Sequence, residues 1–197
     1  MPNHPALFPR NFKKQYPIAA SGEGSPHFGP AGTVWFRYSD GKANFIGLMN
    51  KDGSARRQVI GRPITTVMAC SPDGRWLVAM APARDGGPVI DTIAIPADGT
   101  KPRVIGRGRH SVAWSRDGRF IYIGFAGKRA GQTLVFSGSQ QGLPDLPEGG
   151  IRSDEQASVI RGARLINASE ISPGPDPSTF AYVKTTTQRN LFRIPLQ

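Results

Sequence analysis

Two aspartates are the first residues here that could do chemistry. Asp73 and Asp117 recur in matching contexts, Ser71-Pro72-Asp73-Gly74-Arg75 and Ser115-Arg116-Asp117-Gly118-Arg119, and paired carboxylates are what general acid–base catalysis uses. A turn explains them as well. Between two apolar runs, an aspartate caps its own backbone and the following glycine accepts the positive φ that ends the turn. The other candidates fail on spacing. His4, His27 and His110 are scattered and share no pattern with a serine or cysteine nucleophile, and no Gly-x-Ser-x-Gly elbow exists. Gly124-Phe125-Ala126-Gly127-Lys128-Arg129 lacks the spacing and the Ser/Thr of a phosphate-binding loop, so a loop between strands is expected there. Cys70 is the single cysteine, which excludes an internal disulfide, and no Cys/His pair has zinc spacing. The expectation is a chain with no catalytic residue, no cofactor and no metal.

Binding is the remaining chemistry. The 197 residues carry a formal charge of +11, which suits an anionic partner without naming one. Lys101, Arg103, Arg107, Arg109 and His110 cluster where one structural unit should pass to the next, and they form the candidate anion- or partner-binding patch. Solvated loop charge is the plainer alternative. The expected partner is a protein or a small ligand. Single-stranded nucleic acid would need exposed aromatics between the charges, whereas Trp35, Trp76 and Trp114 fall in or beside strands. No stretch reaches the roughly 18 apolar residues of a membrane helix, and Met1-Pro2-Asn3-His4-Pro5 has no signal-peptide pattern. Membrane insertion by this chain is not expected.

The elements that must position these residues come from repeats. Cys70 to Val78 aligns with Trp114 to Tyr122 at an offset of 44, and Phe28 to Phe36 aligns with Cys70 to Val78 at an offset of 42. A weaker copy starts at Ile171-Ser172-Pro173-Gly174 and resumes at Thr179 to Val183. Each unit reads as an apolar strand, a turn and a second strand. In the first two units another hairpin follows, around Asp52-Gly53 and Asp98-Gly99. A four-stranded antiparallel meander with two apolar faces is buried by stacking on its neighbours, and a period of 42 to 44 residues fits β-propeller blades rather than a sandwich or a β-helix. The expected fold is therefore all-β, a partial β-propeller of about four antiparallel four-stranded blades with one short helix in an insertion. Residues 1–20 form an irregular lead-in; the blades span about 21–61, 62–106, 107–150 and 163–197. The helical insertion covers 151–162, opened by a Ser153-Asp154-Glu155-Gln156 capping box and ended by Gly162.

The Ser-Pro-Asp-Gly-Arg-Trp and Ser-Arg-Asp-Gly-Arg-Phe segments resemble the WD-repeat-like propeller repeats of TolB-like proteins. Ser25 to Pro30, Asp40 to Phe45 and Thr187 to Leu196 more specifically resemble the C-terminal propeller region of bacterial serine/threonine protein kinases. In that family a cytoplasmic kinase domain and a membrane helix precede the propeller, which implies an extracytoplasmic sensing or docking region. Kinase activity does not carry over, because the His-Arg-Asp loop, the Asp-Phe-Gly motif and the glycine-rich loop are all lacking. The chain then reads as a non-catalytic scaffold. Its alternative is the accessory propeller of a hydrolase or a TolB-like periplasmic protein. Four repeats are fewer than the six to eight blades usual in such propellers, so missing upstream blades are expected, with a closed four-bladed ring as the alternative.

Overall fold

The β-branched and aromatic runs suit a pleated surface with two usable faces, and they become strands. The computed structural model describes residues 26–84, 86–125, 131–137, 142–152, 156–157 and 160–182. A first sheet holds β1 (His27–Phe28), β2 (Thr33–Ser39), β3 (Asn44–Asn50) and β4 (Arg57–Gln58). A second holds β5 (Thr66–Cys70), β6 (Trp76–Pro82), β7 (Ile90–Pro96) and β8 (Arg103–Arg107). A third holds β9 (Ser111–Trp114), β10 (Phe120–Gly124), β11 (Thr133–Ser137) and β12 (Ala163–Ile166). The hairpin of β13 (Ser172–Pro173) and β14 (Phe180–Ala181) starts a fourth unit. Every pairing within these sheets is antiparallel and follows chain order. This is an all-β chain built as part of a β-propeller.

Alternation along each strand sends successive side chains to different neighbours. Trp35, Ile46 and Leu48 of the first sheet meet Leu77, Ala79, Ile93 and Ile95 of the second. From the second sheet's other face, Val78, Ala94 and Ile105 meet Val112, Ile121, Ile123, Leu134 and Phe136 of the third. Tyr122, Val135 and Ile166 then pack toward Ile171 and Phe180 of the fourth unit. The cores lie between sheets, so no blade is stable by itself. Tryptophan is used as expected: Trp35 is 1% exposed, and Trp76 and Trp114 pack against the second of these cores.

Four details differ from the sequence reading. The alignment placed Trp35 beside Leu77, but Phe28 pairs with Val34 whereas Cys70 pairs with Leu77, because the first turn is one residue shorter. A one-residue slip reverses faces. Val34 therefore holds Leu77's place, and Trp35 points forward into the next blade. Second, Ala163–Ile166 opens no fourth blade; it pairs with Thr133–Ser137 as the outer strand of the third. Residues 142–162 are thus inserted between the last two strands of one blade. Third, in that insertion only Gln156 and Ala157 are described as helical, and 153–155 and 158–159 lie outside the described residues. The Gln156 side chain accepts the Arg152 N–H at 2.8 Å, one residue before the expected cap. Fourth, three sheets are four-stranded among the described residues, and the fourth unit is described as a hairpin. The lead-in 1–20 and residues 183–197 lie outside the described residues, as do 126–130 of the loop after β10.

Candidate functional site

The aspartate motifs are the most regular local structures. In each, the serine hydroxyl donates to the aspartate, at 2.6 Å for Ser71–Asp73 and 2.7 Å for Ser115–Asp117. The same hydroxyl accepts a backbone N–H five residues on, from Trp76 and from Phe120, each at 2.9 Å. The carboxylate also accepts the N–H of Arg75 or Arg119 at 3.0 Å. Both carboxylates are spent on their own turns. Asp117 is held down at about 2, first by the Ser115 hydroxyl and then by Arg119, which is the wrong direction for a general acid at neutral pH. Cys70 is equally committed: burial pushes its thiol up to about 12, and its Sγ lies 3.5 Å from the Phe28 carbonyl oxygen.

The basic run is divided by the fold. His110 is buried, stacked edge-on against Phe125 with centroids 5.4 Å apart. Its Nε2 meets the Arg107 carbonyl oxygen at 3.1 Å, and its ring occupies the space that Gly106 leaves. Burial lowers its pKa, with backbone groups of Arg107 and Gly124 opposing. It is a neutral packing residue, and the anion-binding role expected of it fails on that burial. Arg109 is exposed and lies outside the cleft described next.

Lys101, Arg103 and Arg107 do come together. They line a cleft of about 710 Å³ along the outer strand β8, with Arg84, Arg152, Asp91 and Glu148 also in its wall. Its far side is the insertion. Ile151 forms a parallel bridge to Gly106, its N–H donates to the Ile105 carbonyl at 2.9 Å, and its own carbonyl accepts from Arg107 at 3.1 Å. The close approach requires Gly150: its φ is +74°, and a Cβ there would stand 2.7 Å from the Val104 oxygen. Arg103 fastens the two sides, donating from Nη2 to the Pro144 carbonyl at 2.9 Å. Asp91 is neutralised from behind by Arg62, at 2.8 Å. Five cations and two carboxylates, one of them already paired, leave the lining positive among the described residues.

Solved structures match part of this architecture. TolB from Acinetobacter baumannii matches at 15% identity over 58% of this chain and 30% of its own, with a TM-score of 0.45. An oligogalacturonate lyase in complex with manganese matches at 21% identity over 58% of this chain and 33% of its own, TM-score 0.41. The β-propeller domain of the trilobed protease from Pyrococcus furiosus matches at 20% over 58% of this chain and 39% of its own, TM-score 0.38. The chain spans less than half of each. No family model matches it, and neither does any curated protein.

Arg84 and Arg152 escaped the sequence reading because they lie about 20 and 45 residues from the run they join. Arg84 comes from the β6–β7 loop of the second blade itself, and the folding of the third blade's insertion back onto that blade brings in Arg152. Arg103 occupies a position that the repeat itself specifies. In the pairing register Arg57, Arg103 and Arg164 are equivalent, opposite Leu48, Ala94 and Val135. The first two each donate to a carbonyl about one repeat ahead, Arg57 to Ala97 and Arg103 to Pro144. An arginine clasp between blades is part of the repeat. Among the described residues no group of three His, Cys, Asp or Glu is placed to hold a metal.

Proposed function

We propose that this chain is a non-catalytic propeller scaffold whose ligand or protein partner is bound at the basic cleft between β8 and the third blade's insertion. The observation that carries this reading is the division of labour among its reactive residues. Asp73 and Asp117 are committed to turns, Cys70 and His110 to packing, while Arg84, Lys101, Arg103, Arg107 and Arg152 share the lining of a cleft. Such a surface suits recognition; among the described residues it pairs no nucleophile with a base for turnover. In a whole protein it would serve as the extracytoplasmic sensor region of a bacterial receptor serine/threonine kinase, or, in the alternative, as the propeller of a hydrolase or of a TolB-like periplasmic protein. Adjoining reading frames separate these placements, since a kinase or hydrolase frame is recognisable by its motifs.

The test is turnover. Purified chain is assayed with ATP, a kinase substrate peptide and a p-nitrophenyl ester, and the expected rate equals that of a heat-killed control. Activity that follows the protein through successive purification steps overturns the scaffold reading.

A further inference from the structure

We propose that the cleft takes an extended polypeptide segment with acidic residues at its two ends and apolar residues between them. This rests on the scaffold reading and names the partner class for the same site. The cations that carry it stand apart. Arg84 lies in the loop before β7 and Lys101 in the loop after it, and that strand is seven residues long, so its ends are about 20 Å apart at the rise of a β-strand. A small anion reaches one end of the second sheet; an extended chain of about six or seven residues reaches both. Arg152, next to the Ile151 that bridges to Gly106, adds a third cation on the insertion side of the lining. Arg84, Lys101 and Arg152 form no ion pair among the described residues. Arg107 is not counted with them, because it stands opposite Asp91 in the β7–β8 ladder.

Between the charged ends the lining turns apolar. Val104 stands opposite Ile93, the middle residue of β7, and it shares the lining with Leu146 and Pro147 of the insertion. All three are half-buried. A nucleic acid or an acidic polysaccharide carries charge on each unit and would set part of it against this stretch, where a charge loses hydration without gaining a partner. A polypeptide can place carboxylates at the ends and apolar side chains in the middle, which matches the lining in both respects. Lys101 is also not required to build a blade. Two residues before the clasp arginine, where the second blade has Lys101, the first and third have Ala55 and Gly162. Glu148 is the one lining carboxylate besides Asp91, and it opposes an acidic partner.

Fluorescence anisotropy of the full chain with a labelled eight-residue peptide tests the proposal, the peptide having two aspartates at each end and valines and leucines between. It should bind one per chain, and more weakly as salt is raised. Replacing the aspartates of one end by serine should weaken binding about two- to fivefold, the scale of an exposed ion pair. A peptide with lysines in place of all four aspartates should not bind. Arg84→Gln and Lys101→Gln should each weaken binding by the same factor, and their effects should multiply, since positions so far apart act independently. Glu148→Gln should tighten it. Arg109→Gln/Arg161→Gln removes charge from exposed positions outside the lining and should bind as the parent does. All five are loop positions, and thermal melts matching the parent's establish that each variant is folded. The proposal is overturned by no binding at millimolar peptide, by equal binding of the lysine peptide, or by equal weakening in the Arg109/Arg161 variant. An eight-nucleotide oligothymidylate that binds more tightly than the peptide, with the same dependence on Arg84 and Lys101, overturns it in favour of a polyanion. None of these results touches the scaffold reading, which stands or falls on turnover.

Discussion

Gly74 and Gly118 close equivalent turns with nearly equal dihedrals, φ of 70° and 72°, yet their surroundings differ. At Gly118 a Cβ would meet nothing within 4 Å; at Gly74 it would stand 2.5 Å from the Gly29 carbonyl carbon and 2.7 Å from the Phe28 oxygen. Alanine at Gly118 therefore costs only the left-handed backbone, about 1–2 kcal/mol. At Gly74 the obstacle is the backbone of the preceding blade, which cannot rotate away, and overpacking adds about 1–3 kcal/mol for a total of about 2–5. The blade edge must shift, and with it the 2.9 Å bond from Trp35 Nε1 to the Gly74 carbonyl. For a domain of this size each kcal/mol moves the midpoint by about 2–4 °C. Gly118→Ala should then lower Tm by about 2–8 °C and Gly74→Ala by about 4–20 °C. Calorimetric melts measure both, and urea titrations followed by tryptophan fluorescence give the same order. Asp73→Asn serves as a control, since Asn preserves a turn acceptor. Equal shifts for the two glycines, or a larger one at Gly118, would refute the claim that the turn of one blade seats against the backbone of its predecessor.

Three further outcomes follow from polar groups with fixed partners. Arg62→Met removes the 2.8 Å partner of Asp91 while Arg107 still stands opposite it in the ladder, so the cost in urea unfolding should be that of one charged hydrogen bond, about 1.5–3 kcal/mol; a change below measurement error would show that Asp91 is solvated. Asp117 has a folded pKa of about 2, below its unfolded value, so its stabilising contribution is complete above about pH 4 and disappears as the pH falls to about 2. The Tm gap between the parent and Asp117→Asn should narrow across that window, and a constant gap contradicts the assignment. Cys70, raised to about 12 by burial, should react with a disulfide reagent at pH 8 at least about a hundredfold more slowly in the folded chain than in urea, because the thiolate is the attacking species; comparable rates would mean an open thiol.

The repeat was legible because it is made of local chemistry. Ser-x-Asp-Gly writes its own turn, and alternating apolar residues write the strands on either side. The shortened first turn was not legible: the residues around Gly29 and Gly32 align equally well in either register, and only the pairing of Phe28 with Val34 decides which face Trp35 takes. The return of β12 to the third blade was hidden for a similar reason. Ala163–Ile166 is a short strand with the exposed Leu165, and its partner across the ladder lies some thirty residues earlier. Of the basic run, Lys101, Arg103 and Arg107 share the lining of one cleft. The run included His110 because burial is invisible in a list of basic residues.

The insertion in the third blade is what turns a structural edge into a cleft. An outer strand normally presents unpaired backbone groups, which invite another chain. Here Ile151 takes up that edge at Gly106, while Leu143, Ile151 and Ala157 fill the core between the second and third sheets. The far wall of the cleft therefore cannot swing away without opening a core. A wall held in this way keeps Arg152 in the same cleft lining as Lys101 and Arg107. The first sheet gives the contrast. Its outer strand β4 also carries the clasp arginine, Arg57, but that arginine reaches the short turn at Ala97 rather than an insertion. The clasp joins blades at both Arg57 and Arg103, and it becomes part of a cleft only where the segment it holds is long enough to form a second wall.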